Sequence, residues 1–356
     1  MTFQKSSRRG GAPIQINWEQ CTSVTIPVKK SGLETYRIDV YLTKRLNEYS
    51  RTLIQRLIKE GLVKVNQHRT KPSYELNQGD IIEVALPRLI KPQTVAEDIP
   101  LDVIYEDNDI IAINKPPGMV VHPAAGHWRG TLVNALLHHC DSLGGDPTKA
   151  ERTRPTQNQG EDIYRPGIVH RLDKNTSGII LAAKTARAYL SLGKQFAGRQ
   201  IFKEYLAVVH GQVQFDSDTI VKPLGRHQKE REKMAVRKEG EGREAISYYE
   251  LQERFKKFSV VKVFPKTGRT HQIRVHLASI KHPIAGDVTY GGKKEIFLSD
   301  IGDLSLSQPD DLLLDRPALH AARITFTHPA TDESLSLTAE TAPDIKNFIQ
   351  RLKQYK

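Results

Sequence analysis

Cysteine is almost missing from this chain. Its 356 residues hold two, Cys21 and Cys140, far apart and without metal-ligand spacing. That excludes a disulfide scaffold, argues against a zinc site and fits a reducing compartment. No run of 18 consecutive apolar residues occurs, so no membrane-spanning helix is expected. Met1 to Gln20 carries arginines but no apolar stretch, so no secretory signal is expected and the protein should be soluble and cytoplasmic. Acidic residues are in deficit, 41 against 53 Lys plus Arg, leaving a formal charge of +12. Such an excess points to a polyanionic partner, with nucleic acid the default candidate, although simple solubility produces similar numbers. With 38% hydrophobic and 26% charged residues most of the chain should fold, and its length suits two or three domains.

The pattern along the chain divides accordingly. Residues 1–35 are polar, irregular and punctuated by Gly10, Gly11, Pro13 and Pro27, which reads as a flexible leader. From Arg37 the apolar residues Ile38, Leu42 and Leu46 recur at helical spacing. Ser50 has the chemistry of an N-cap for a second helix whose apolar face is Leu53, Ile54, Leu57 and Ile58 and whose terminator is Gly61. Strands follow over Val63 to Asn66 and Ile81 to Leu86. Residues 37–91 hold eleven Lys or Arg and six Asp or Glu, so Arg37, Arg51, Arg56, Lys59 and Lys64, with the turn residue Asn66, mark the face of this module that would meet a polyanion. A merely solvated face would look similar. Pro87 to Pro100 reads as a linker.

Beyond it, Val103 to Gly118 reads as strand, acidic turn, strand and a rigid Pro-Pro-Gly turn, and Thr131 to His139 has a helical period. Gly144 to Tyr164 should be a surface insertion. Strands are expected over 178–183, 203–210, 245–252, 258–264, 320–327 and 335–339, with helices over 186–197, 271–280 and 344–355. Neighbouring strands joined by short turns predict an α+β architecture: a central mixed, mainly antiparallel sheet flanked by helices.

The most informative stretch runs from Arg165 to Lys184. Two apolar arms enclose a loop holding His170, Arg171, Asp173, Lys174, Asn175 and Ser177. A carboxylate among cations between buried strands has its charged form favoured, and an ionised carboxylate can act as a nucleophile. A structural ion pair in a turn would satisfy the same pattern. His170, His271, His276 and His282 do not make a metal site. The five-residue interval from His271 to His276 does not put them on one helix face, and no acid completes a triad.

The His-Arg-Leu-Asp loop, followed by a polar pair, Ser-Gly and an apolar strand, resembles the active-site motif of RluA/RluD-type pseudouridine synthases. Ile113 to Pro123, Phe202 to Ala207, and Thr267 to Leu277 with His282 to Asp287 and Tyr290-Gly291 are similar to further motifs of that family, in its order. Residues 37–91 are similar to its S4-type RNA-binding domain. The resemblance runs from about residue 36 to 340, leaving out the flexible leader over 1–35 and the insertion, and implies an S4-like module over 36–95 and a catalytic domain over 96–356. It implies that Asp173 is the catalytic aspartate, that Tyr205 packs on the target base and helps in proton removal, and that Arg274 pairs with the aspartate. Arg171 would enter the RNA stack as the uridine leaves, with His170 beside the substrate. The basic run Arg226 to Lys238 mixes signs as a solvated stretch would, but it resembles a family segment between strands, which implies contact with the RNA backbone. Asn175 departs from the family, where an acidic residue is common. The implied reaction isomerises uridine to pseudouridine in RNA, with 23S-type ribosomal RNA the expected substrate and transfer RNA the alternative. It gains and loses no electron and needs no redox cofactor. A non-catalytic RNA-binding protein on the same scaffold would have no use for Asp173, Tyr205 and Arg274 together, and a glycosidase would need a second carboxylate.

Overall fold

The computed structural model describes residues 15–28, 37–46, 49–90, 94–123, 127–144, 166–230, 233–238, 240–302 and 309–355. The chain separates into two compact units, one within residues 1–93 and one drawn from residues 94–356.

The first unit is a four-stranded sheet with two helices. Its elements are β1 (Gln15–Pro27), α1 (Ile38–Arg45), α2 (Arg51–Lys59), β2 (Val63–Val65), β3 (His68–Arg69) and β4 (Ile81–Ile90), with strand order β1-β4-β2-β3. Ser50 caps α2 by accepting the Leu53 amide. Gly61 ends it with φ +79°, a backbone state in which a Cβ would meet the Arg69 guanidinium at 2.8 Å. Ile38, Leu42, Ile54, Leu57 and Ile58 are buried against Ile82 and Val84 of β4. Two expectations need correction. The leader was expected to be flexible over residues 1–35, yet Gln15–Pro27 is a strand, antiparallel to β4. Val24, Ile26 and Val28 alternate onto the core there, a period-two burial that stabilises a strand. Residues 1–14 and 29–36 lie outside the described residues. The expected linker also begins too early, because β4 continues through Pro87 to Ile90. Pro87 stands opposite an irregularity in β1 between Asn17 and Cys21, the kind of site where a strand tolerates a missing N–H.

The second unit follows the α+β expectation. It comprises β5 (Val103–Glu106), β6 (Ile110–Lys115), α3 (Leu132–His139), β7 (Ser177–Ala183), α4 (Ala186–Ala197), β8 (Phe202–His210), β9 (Ser217–Val221), β10 (Leu224–Arg226), β11 (Met234–Val236), β12 (Ile246–Arg254), β13 (Phe258–Pro265), α5 (Gln272–Ser279), β14 (Ile296–Phe297), β15 (Leu312–Leu314), β16 (Leu319–Thr327), β17 (Ser334–Thr338) and α6 (Pro343–Gln354). Nine of the strands make one sheet in the order β5-β6-β7-β16-β8-β13-β12-β9, with β17 also on β16. Among the described residues only β7 and β16 pair in parallel. Every residue of β7 is buried, as expected of a central strand covered on both faces. The surface insertion expected over 144–164 lies, apart from Gly144, outside the described residues.

The register of the central strands places the site. Ala321 of β16 pairs with Gly178 on one side and Tyr205 on the other. Gly178 sits at φ +105°, and a Cβ there would lie 2.2 Å from the Ala321 carbonyl oxygen, so the position requires glycine. The loop that carries Asp173 therefore enters the sheet one strand away from Tyr205.

Candidate active site

The loop before β7 is held by two cations at successive carbonyls. Lys115, at the end of β6 and fully buried, donates from Nζ to the carbonyls of Pro116 (2.8 Å), Met119 (3.0 Å) and Lys174 (3.1 Å). Burial, with the Arg316 charge adding and Asp173 opposing, brings its amine down to about 7; three carbonyl acceptors fill all three donors of the protonated form. Arg316 Nη1 donates to the Asn175 carbonyl (3.1 Å), while its Nε and Nη2 fork onto Asp344 at 2.6 and 2.7 Å. Ser177 Oγ bonds His320 Nδ1 at 3.0 Å. The departure at Asn175 therefore leaves the loop anchored, because what is held there is its backbone.

Arg274 reaches the same place from the first turn of α5. Its Nε and Nη2 fork onto Asp287 at 2.6 and 2.8 Å, and the remaining Nη1 donates to Asp173 Oδ2 at 3.1 Å. Burial alone would lower the guanidinium pKa, but the Asp287 and Asp173 carboxylates outweigh it and raise it further. Asp287 is 1% exposed and also accepts the Thr289 amide. A planar fork locked on one carboxylate aims its third nitrogen at the other with little freedom left.

α5 begins at His271, which adopts φ +55°, a backbone state uncommon outside glycine. Its Nδ1 lies 2.7 Å from the Tyr290 hydroxyl, and its Nε2 lies 3.9 Å from Asp173 Oδ2. Burial keeps its pKa below the usual histidine value, with Asp173 pulling the other way. Gln272 fastens the turn, taking Thr267 Oγ1 and the Arg269 amide on Oε1 and donating to the Ile246 carbonyl and Ser247 Oγ. The other histidines are in structural use: His276 between Ser247 and the Lys222 carbonyl, and His282 against the His210 carbonyl.

Asp173, Tyr205, Arg274, Arg171 and His170 all line one open cleft of about 410 Å³. Arg171 is exposed at its edge. Tyr205 faces it with a phenol whose pKa is raised, by burial first and by the Asp173 charge second. His170 stacks on Phe196 with centroids 4.7 Å apart, and its Nε2 accepts the Leu181 amide at 2.8 Å. Burial and the Lys203 charge bring it down to about 3, so it is a neutral cleft wall. Residues the sequence reading did not single out are Asp287, Tyr290, Lys115 and Arg316, and His271 was weighed only as a metal ligand. Asp287 stood inside a quoted motif, but nothing in its spacing says which cation it will hold.

The first unit's expected polyanion face is partly committed to its own structure. Arg37 and Arg51 both bond Asp39, at 3.1 and 2.9 Å, and Gln55 adds a third donor at 2.7 Å. These bonds outweigh burial and hold the Asp39 carboxyl down at about 2. Arg56 pairs with Glu60 at 2.8 Å. Asn66, at φ +49°, is turned to Asp80 and the Ile81 amide rather than to an outside ligand. Lys59 and Lys64 are exposed.

Comparison with known proteins shows the family. A family model described as RNA pseudouridylate synthase matches residues 109–279, and an S4 domain model matches residues 37–82. An uncharacterized RNA pseudouridine synthase of Bacillus subtilis is 39% identical over 318 residues, covering 89% of this chain and 94% of the relative. Ribosomal large subunit pseudouridine synthase D of Neisseria meningitidis is 39% identical over 336 residues, covering 94% and 83%. Human RNA pseudouridylate synthase domain containing 1 shares the fold at a TM-score of 0.50 and 22% identity, covering 74% of this chain and 97% of that one. An S4 domain followed by a pseudouridylate synthase domain, and identity of this extent along the chain, place it in the RluA/RluD-type family: it belongs to the RNA pseudouridine synthases, isomerases that act on uridine in RNA.

Proposed function

We propose that the chain isomerises specific uridines of large-subunit ribosomal RNA in the cytoplasm, with Asp173 as nucleophile. The observation that carries the mechanism is the 3.1 Å contact between Arg274 and Asp173 in the cleft that Tyr205 also lines. The substrate follows from the large-subunit relative, similar over nine-tenths of this chain, and from the excess of positive charge.

The target uridine leaves its stack at a cost of a few kcal/mol, which Arg171 offsets by filling the gap. Tyr205 offers the base a stacking face worth about 1–3 kcal/mol. Asp173 attacks C1′ of the ribose; the C1′–N1 bond breaks and its electron pair leaves with uracil. The detached uracil turns, C5 attacks C1′, and the carboxylate is released. The C5 proton then passes to the freed Asp173 and N1 gains one, so atoms balance. A phenol with a raised pKa stays protonated, which suits Tyr205 to holding the base rather than to removing a proton. His170 closes the wall of the cleft.

Pseudouridine mapping of total RNA from a strain lacking the protein tests the substrate. The expected result is loss of one or a few large-subunit sites with transfer RNA unchanged; loss confined to transfer RNA overturns the assignment.

The residue 36–95 module supplies phosphate contacts in this reading, through Lys59 and Lys64 above all and through the outer faces of Arg37, Arg51 and Arg56, with Asn66 shaping the turn beside them. Replacing Lys59 and Lys64 by Gln should weaken RNA binding and reduce the slope of log affinity against log salt by about 2, since each lost phosphate contact releases about one counterion fewer. An unchanged slope in a filter-binding titration would remove these two residues from the interface.

A further inference from the structure

α5 opens on a histidine held in a costly conformation. His271 sits at φ +55°, a state that a residue with a side chain keeps only when its surroundings enforce it. Gln272 enforces it through four hydrogen bonds to the turn and to β12. The imidazole is thereby held at the cleft, between Tyr290 and Asp173.

The Tyr290 hydroxyl decides which ring nitrogen carries the proton. Its oxygen accepts the Met234 amide of β11 at 3.0 Å, and its own hydrogen is available to His271 Nδ1, 2.7 Å away. Burial first of all holds the phenol above its usual pKa, so that hydrogen stays in place. Nδ1 then accepts, and Nε2 is the N–H. The opposite tautomer would leave the phenol hydrogen without an acceptor among the described residues. It would also set a nitrogen lone pair beside the Asp173 carboxylate. Burial, then the Arg274 and Arg171 charges, oppose a doubly protonated ring against the pull of Asp173 and Asp287.

The proton-bearing nitrogen is therefore the one beside the nucleophile. At 3.9 Å from Oδ2 it is too far for a hydrogen bond, and its dipole acts on the charge instead. Arg274 Nη1 addresses the same oxygen at 3.1 Å. Among the described residues no side chain bonds Oδ1.

We propose that His271 is a positioning residue for the isomerisation. With its tautomer fixed by Tyr290, its Nε2–H joins Arg274 in holding Asp173 Oδ2, and Oδ1 is the oxygen presented to C1′ of the ribose. The inference rests on Asp173 being the nucleophile and adds which of its oxygens attacks. The Oδ1–C1′ bond forms as C1′–N1 breaks, and breaks as C5–C1′ forms, its electron pair returning to Oδ1. His271 keeps its proton throughout.

Two amide substitutions separate the ring nitrogens. His271→Gln carries an N–H out to where Nε2 stands and should keep most of kcat. His271→Asn reaches only as far as Nδ1 and should lower kcat about a hundredfold, the scale of a misplaced reacting group, with KM unchanged. Asn tolerates a positive φ well, so that loss is not one of folding. Tyr290→Phe keeps the ring that lies 5.0 Å from the Arg274 guanidinium carbon and should lower kcat about tenfold, the size of one hydrogen bond. It should lower kcat no further in His271→Gln, which has no tautomer to set. Equal kcat in the Asn and Gln variants, a loss carried by KM, or additive effects of the two substitutions would overturn the proposal. Nitrogen-15 spectra of histidine-labelled wild-type protein should show a bare Nδ1 and a protonated Nε2 at His271, assigned by its loss in either variant; the reverse pattern also overturns it. Those spectra need no RNA, so they judge the tautomer even if Asp173→Asn stays active, a result that would sink the nucleophile instead.

Discussion

Asp173→Asn should bind RNA as the wild-type protein does and convert no measurable uridine in a purified transcript, its rate falling by roughly 10⁴-fold or more, the scale seen when a covalent nucleophile is removed. The amide has the shape of the carboxylate and keeps an oxygen to accept Arg274 Nη1, which stands 3.1 Å away in the native site. It has no charge to deliver to C1′. In the proposed mechanism affinity comes from cations and the Tyr205 ring, which the substitution does not touch. Single-turnover conversion at the wild-type rate in this variant would end the nucleophile reading, because among the described residues Asp173 is the carboxylate that lines the cleft, and Asp287 is committed to Arg274 by two bonds.

Arg274→Leu should cost about 3–5 kcal/mol of stability, the penalty for leaving one member of a buried ion pair without its partner, together with activity. Asp287 is 1% exposed and would keep only the Thr289 amide. Urea unfolding reads the loss of stability, and an unchanged midpoint would show that the fork is not what Asp287 depends on. Arg274→Lys should not rescue, since a single ammonium cannot bond both Asp287 oxygens while reaching Asp173.

How far the site could be read in advance depended on distance along the chain. The α2 helix was legible from Ser50 to Gly61 because its cap, apolar face and terminator are local signals. The strands β6, β7, β8 and β13 were legible as apolar runs. Their neighbours were not: β7 lies beside β16 through Ser177 and His320, 143 residues apart, and no local pattern specifies that pairing. The strand Gln15–Pro27 was hidden because its partner β4 begins more than fifty residues later and its own alternation is only three residues long. Within the site, Asp173, Tyr205 and Arg274 were singled out through motif resemblance. Asp287, Lys115 and Arg316 act through backbone carbonyls or a buried fork, roles that follow from three-dimensional placement alone. Asn66 shows the converse, a polar residue in a basic module that the fold spends on its own turn.

The distance of β16 from β7 and β8 along the chain bears on when the Asp173 loop can be set during synthesis. Until residues 316–344 have been made, the strand that unites Gly178 with Tyr205 and the Arg316–Asp344 pair that holds the loop's backbone are incomplete. A nascent chain that already carries every motif residue should therefore still lack these restraints, and a pairing this remote in sequence is slow to form. A stop before β16 should leave a product in which β7 and β8 have no strand between them.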